Sequence, residues 1–311
     1  MDEVLSWLLD SDPALRYQTR RDLLGEKGPA LEALRASVAG GPWAAELLRR
    51  RGPDGHWGLG PYVPKWTCTH YVLFELAQLG VAPDDPRCRD SCLRLLAEPA
   101  GADGGINYAK TVKYSDVCVN GAILFMASYF GIEGAAVRSV LDFLLQARMP
   151  DRGWNCEYLR DARHSSMHTT VAALEGLGAY LSSGAAYRRD EAREAALCAV
   201  EFLLQHRLFK SDRTGEVVKD EFLKFNFPAR WKYDVLRGLD CLRAIGAPLD
   251  PRMGDALDLV ESSAGPDGRW KSRAQAGRTY FVAEPAGRPG RWNTLRALRV
   301  LLAYGRRDGF A

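Results

Sequence analysis

Residues 150–154 read Pro150-Asp151-Arg152-Gly153-Trp154. A polar stretch, His164-Ser165-Ser166-Met167-His168-Thr169-Thr170, follows and runs into an apolar one. A glycine beside an aromatic residue, set between two helix-periodic stretches, reads as a turn joining two helices. The pattern recurs along the chain. Its other copies are Pro53-Asp54-Gly55-His56-Trp57, Asp103-Gly104-Gly105-Ile106, Asp212-Arg213-Thr214-Gly215-Glu216-Val217 and Pro266-Asp267-Gly268-Arg269-Trp270. Units of roughly fifty residues lie in the range of solenoids, propellers and closed arrays. The helices that follow the turns are expected to open near Trp66, Ser115, Ser165, Arg230 and Trp292.

Each unit reads as two helices. An amphipathic, outer one is expected at 87–96, 135–146, 188–206 and 251–262. A more apolar, inner one is expected at 67–79, 116–130, 168–181, 233–245 and 293–304. Apolar residues recur at helical spacing, as in Leu141, Leu144 and Leu145. Most inner helices end at a glycine (Gly80, Gly131, Gly246, Gly305), the usual left-handed cap. The inner helices read as nearly apolar all round, as helices buried on two sides should be. Segments 3–9, 12–24 and 29–50 add further helices. Together these close a ring of about six hairpins. The expected fold is therefore all-α, an (α/α)6 toroid, as a single domain over 1–311. In such a ring the polar helix starts meet on one face around a central hole, where the chemistry is expected. Linkers 209–229 and 271–290 are longer than the rest and read as lids or substrate contacts.

Bulk composition narrows the function classes. The chain has 311 residues, 47% of them hydrophobic, and a net charge of +3, too weak a field to imply nucleic acid or a membrane surface as partner. The seven cysteines form no spaced disulfide framework, which fits reduced thiols in a cytoplasmic protein. No stretch of about 18 apolar residues suggests a transmembrane segment, and the acidic start, with its short apolar run, does not read as a signal peptide.

Two inner helix starts carry reactive side chains: Ser115-Asp116-Val117-Cys118 and His164 to Thr170. Asp, Cys and His are zinc ligands, and a catalytic zinc keeps three protein ligands and one open position. Asp116, Cys118 and His168 are thus candidate ligands, with Cys156 as a fourth or as a reactive thiol. The same residues also suit a helix cap, a small buried thiol and a cap histidine. Further polar clusters sit at other helix starts: Trp66 and His70, then Arg230 and Asp234, then Arg291 and Trp292. Arginine suits phosphate or carboxylate, and tryptophan lines apolar pockets. Both also fill helix ends.

The chain resembles the α/α-toroid superfamily of terpenoid cyclases and protein prenyltransferase β subunits, and bacterial squalene-cyclase-like proteins in particular. Leu144-Leu145-Gln146 followed by Gly153-Trp154 is similar to the Gln–Trp repeats of squalene cyclases. Lys110-x-x-Lys113-x-x-Asp116-x-Cys118 resembles the prenyltransferase stretch whose Asp and Cys bind zinc and whose basic residues hold a diphosphate. His168-Thr169-Thr170 resembles the helix start that supplies the zinc histidine. The resemblance implies zinc as cofactor on Asp116, Cys118 and His168, with Lys110 and Lys113 near a diphosphate. The acid motif Asp-x-Asp-Asp of squalene cyclases is absent, and Val119 stands where prenyltransferases carry a tyrosine.

The leading expectation is a zinc-dependent transferase or related enzyme acting on an isoprenoid-like or other apolar substrate, with an isoprenoid diphosphate as the candidate ligand. Its basic mouth would carry Lys110, Lys113, Arg230, Lys232 and Arg291, and its wall Trp66, Trp154, Trp231 and Trp292. The alternatives are a metal-independent terpene cyclase-like enzyme and a non-catalytic toroid that binds a ligand or a protein. The sequence names neither the acceptor nor a second subunit.

Overall fold

The turn at 150–154 forms because two atoms must come very close. A Cβ on Gly153 would lie 2.6 Å from Thr170 Oγ1 and 2.7 Å from Ser165 Cβ, so only glycine lets the chain pass here. Trp154 is fully buried. Its indole N–H donates to the Leu144 carbonyl at 2.7 Å, and its backbone N–H donates to Thr170 Oγ1 at 3.0 Å. Trp57 repeats the clasp on the Leu47 carbonyl (2.6 Å) and Thr69 Oγ1 (3.1 Å). Trp270 does so on the Val260 carbonyl (2.7 Å) and Thr294 Oγ1 (3.0 Å). In the second turn Ile106 replaces the tryptophan, and its N–H donates to Asn120 Oδ1 at 2.8 Å. In the fourth, the Tyr233 hydroxyl reaches back to the Leu208 carbonyl at 2.6 Å. Each indole satisfies a carbonyl in the last turn of a helix, which has no partner within that helix.

The structure, a computed structural model, describes residues 3–109, 111–275 and 277–309. In chain order its α-helices are α1 (Glu3–Leu9), α2 (Pro13–Asp22), α3 (Pro29–Ser37), α4 (Pro42–Arg49), α5 (Thr69–Leu79), α6 (Pro86–Leu96), α7 (Val117–Tyr129), α8 (Ala135–Gln146), α9 (Met167–Ser182), α10 (Arg189–Gln205), α11 (Val235–Ala244), α12 (Gly254–Ser262) and α13 (Arg291–Ala303). Among the described residues there are only isolated β-bridges and no strand, so the fold is all-α. Among the described residues no helix is long and apolar enough to cross a membrane.

Contacts between helices run in a circuit. α5 packs on α7, α7 on α9, α9 on α11, α11 on α13, and α13 on α2. Gln18 of α2 then donates to the Gln78 and Leu79 carbonyls at the end of α5, at 2.8 and 3.2 Å. The helices α6, α8, α10 and α12 each pack on the inner helix before them. The closest inner pair is α7 and α9, whose glycines bring backbone against backbone: a Cβ on Gly121 would sit 2.5 Å from the Ala172 carbonyl oxygen.

Helix bounds follow the expected ones to within about two residues, with three corrections. The segment 29–50 is two helices, because Gly41-Pro42 interrupts it. Trp66 and Arg230 do not open α5 and α11. Both lie in the preceding loops with positive φ (82° and 54°). The inner helices are also not apolar all round. Arg237, Asp240 and Arg296 are buried within α11 and α13.

Thr170→Val and Thr294→Val should each lower stability by about 1–3 kcal/mol in chemical denaturation, because each leaves a buried tryptophan N–H unsatisfied. Thr111→Val, on an exposed loop, should change it by less than about 0.5 kcal/mol. Equal effects at all three positions would remove the clasp from the account.

Candidate functional site

The expected zinc ligands are only partly brought together. Cys118 and Cys156 are neighbours: the Cys118 backbone N–H, in the first turn of α7, donates to Cys156 Sγ at 3.5 Å. Thr169 Oγ1 lies 3.6 Å from the same sulfur. His168 is one residue before Thr169, and one step along a helix turns a side chain by about 100°. Thr169 therefore faces the sulfurs while His168 faces α11. There its ring sits edge-on to Phe222 and Trp231, with centroids at 5.4 and 5.0 Å. His168 Nδ1 accepts the Tyr233 backbone N–H at 2.7 Å. Asp116 is exposed at the start of α7. Among the described residues no group of three or more His, Cys, Asp or Glu is placed to hold a metal ion. The Asp116, Cys118, His168 and Cys156 set does not fit zinc in this geometry.

The basic mouth expected at the helix starts is also rearranged. Lys110 lies outside the described residues, and Lys113 is exposed. Arg291 donates to the Trp7 and Asp10 carbonyls at 3.2 and 3.3 Å, so it ties α13 to the N-terminal helix. Arg230 lies over Trp66 at 4.6 Å. Asp234 is a buried cap whose oxygens accept the N–H groups of Arg237 (2.8 Å) and Asn226 (3.0 Å). Trp154 belongs to the turn clasp, not to a cavity wall. Trp231 packs on His168. His70 is buried among Tyr62, Tyr71 and Tyr108, and its Nδ1 has no hydrogen-bond partner. Lys232 lines a surface groove with His168, Lys224, Lys271 and Arg273.

The linkers explain the change, because they cross the helix-start end. Asn293 donates to the Phe225 and Lys271 carbonyls at 3.2 and 2.9 Å, and Tyr280 to the Thr67 carbonyl at 2.8 Å. Phe227 stacks on Trp292 with centroids 4.1 Å apart and planes at 14°.

That stack borders a cavity of about 290 Å³, the main one between the inner helices, to which all six helices of the inner circuit contribute. Its wall residues at the helix C-terminal ends, Arg21, Ser182 and Ala244, are exposed, whereas Trp292 at the far end is buried. The opening therefore lies at the end opposite the expected one. α5 and α7 supply Phe74, Phe125 and Tyr129; α11, α13 and α2 supply five arginines. A small chamber of about 20 Å³ shares Phe227 and Trp292 with this cavity, and holds Glu75 and Glu284.

The charged residues in this wall were missed from sequence. Arg237 pairs with Glu175 through two bonds, at 2.8 and 2.6 Å. Arg299 binds Asp240 through both nitrogens and Asp22 at 2.8 Å. Burial alone would raise the Asp240 pKa, but Arg299, Arg243 and Arg296 outweigh it and hold the carboxyl well below its usual range. Glu75 has no such ring of cations. Burial raises its pKa to about 7, with Arg230 opposing weakly. The available signal was a set of charges inside apolar helices, as in Arg237 with Asp240 and Arg296 with Arg299.

No family model matches the chain, and no curated protein matches it either. Among solved structures, a protein from Actinoplanes matches with a TM-score of 0.46 and 17% identity over 93% of this chain and 89% of that one. The type II terpene cyclase MstE from Scytonema matches with a TM-score of 0.47 and 15% identity over 96% and 87%. A variant of that cyclase, solved with geranylgeranyl dihydroxybenzoate as substrate, matches with a TM-score of 0.46 and 15% identity over 97% and 85%.

Two tests follow from the site. Asp240→Ala should destabilise the fold by about 3–5 kcal/mol, because it leaves buried arginines without their shared carboxylate. The second concerns acid. Burial lowers the pKa of His168 to about 4 and of His70 to about 3. The unfolded chain then binds more protons below pH 6.5, so stability should fall as pH drops from about 6.5 toward 4, by roughly 1.4 kcal/mol per unit for each histidine. His70→Phe should flatten that slope in thermal melts. An unchanged slope would remove His70 as its source.

Proposed function

We propose that the chain is a single-domain (α/α)6 toroid whose central cavity takes an isoprenoid-like, largely apolar substrate, and that its chemistry is proton-initiated and metal-independent, like that of a terpene cyclase. The observation that carries this reading is a cavity to which six helices contribute, with an aromatic wall on one side. Pockets of this kind, mostly apolar with a few placed polar groups, are the usual small-molecule sites. The closed circuit of helix contacts supports the toroid. The donor atoms of the expected zinc set are dispersed or bound elsewhere, which leaves the zinc transferase without a ligand cage.

In this reading Glu75 is the proton donor. Its carboxyl, buried beside the Phe227–Trp292 stack, keeps its proton up to about pH 7. Transfer of that proton to a carbon–carbon double bond gives a carbocation and a carboxylate. Attack by an internal double bond closes a ring, and loss of a proton to water gives a product isomeric with the substrate. The faces of Trp292, Phe227, Phe74 and Phe125 favour the cation, at about 0.5–2 kcal/mol per ring. General acid catalysis of this kind contributes typically 10²–10⁴-fold.

Glu75→Gln should therefore retain binding of a linear polyprenol while losing about 100-fold or more in cyclised product, measured by gas chromatography with mass detection. Wild-type turnover should decline as pH rises through about 7, where Glu75 loses its proton. Unchanged turnover in Glu75→Gln would take the proton from another group. Tight binding with no product in wild type would leave a non-catalytic binding toroid.

A further inference from the structure

The main cavity is two-sided. α5, α7 and α9 give it Phe74, Phe125, Tyr129 and small residues such as Gly178 and Ala179. α11, α13 and α2 give it Arg237, Arg243, Arg296, Arg299 and Arg21. The only carboxylates in the wall are Glu175 and Asp240, and Asp22 and Asp234 stand behind it. Glu175 is used by Arg237, and Asp22 by Arg299 and Arg21. The two oxygens of Asp240 are shared by Arg299, Arg243 and Arg296.

Arg296 has the poorest share. It is 5% exposed. Nη1 donates to the Asn226 carbonyl at 3.0 Å, but its nearest carboxylate oxygens are 3.7 Å away on Asp240 and 4.0 Å away on Asp234. Both Asp234 oxygens already accept backbone N–H groups. A buried guanidinium without a close counter-ion is costly. Trp292, in the same wall and one helical turn away, is buried with its indole N–H unpartnered. Arg296 thus borders the cavity with a carbonyl but no carboxylate within hydrogen-bond distance, and the Trp292 N–H borders it with no acceptor.

We infer that the cavity's ligand is an amphipathic anion, with a carboxylate or phosphate head group on Arg296 and the Trp292 N–H, within the field of Arg243, and an apolar tail against Phe74, Phe125 and Tyr129. This rests on the proposed use of the cavity for an isoprenoid-like molecule and adds the head group. It also moves the anion site away from Lys113, into the cavity that the Phe227–Trp292 stack borders. A carboxylate or phosphate on paired guanidinium groups makes charge-assisted bonds about twice as strong as neutral ones.

The test compares three probes of one chain length, farnesol, farnesoic acid and farnesyl monophosphate, by calorimetry on the whole chain. At least one anion should bind 10-fold or more tighter than the alcohol. Arg296→Met should erase that preference. Arg243→Met, at the more exposed end of the wall, should reduce it several-fold and serves if the Arg296 variant does not fold. Preference for the acid over the phosphate, or the reverse, assigns the head group. Equal binding of alcohol and anions, or a preference untouched by both variants, overturns the inference while the apolar cavity stands. If none of the three binds, both the inference and the cavity's proposed use fail.

Discussion

The clasp between a turn tryptophan and the next inner helix is the constraint on which the remainder of the structure depends. An indole N–H ends an outer helix by taking its carbonyl, and a threonine hydroxyl one turn into the inner helix takes the tryptophan's backbone N–H. Three elements are thereby fixed by one side chain. The turn glycine is required because the threonine and Ser165 would otherwise meet a Cβ. Where the tryptophan is missing, Asn120 and Tyr233 carry the joint by other bonds. The repeat is thus one of geometry, with different residues meeting the same need.

That geometry was legible because it is local. Gly153, Trp154 and Thr170 lie within one unit, and the helical period and the terminal glycines mark each helix by itself. The ion pairs were not legible for the opposite reason. Arg299 meets Asp22 across 277 residues and Asp240 across 59, and nothing in either segment names its partner. His168 shows a finer failure. The motif places it at the right helix start, yet one residue of rotation sends it to α11 and leaves Thr169 beside the two sulfurs. Trp292, in the first turn of α13, lines the cavity, whereas Trp154, in a turn, belongs to the clasp.

The long linkers reverse the expected polarity of the cavity. Segments 209–229 and 271–290 are held across the helix starts by carbonyls that accept from Asn293, Arg296 and Gln275. They also supply Phe227, which stacks on Trp292 and lines both the Glu75 chamber and the main cavity. The linkers, read from sequence as lids or substrate contacts, contribute Phe227 to the buried end of the cavity. The wider end is left to Arg21, Ser182, Arg243 and Ala244.

The join between α13 and α2 has a consequence for biosynthesis. The wall needs Arg21 from α2 and Arg296 and Arg299 from α13, helices separated by most of the chain. On a ribosome the hairpins from α4 to α10 can pack on their neighbours as they emerge, since each contact is with the next unit. The arginine wall cannot form until α13 has been released and returns to α2. Until then Asp22 is without Arg299, and the edges of α2 and α11 that α13 will cover stay open to water. Binding competence therefore arrives in a single late step, and a nascent chain stalled before α13 would carry most of the fold and none of its complete site.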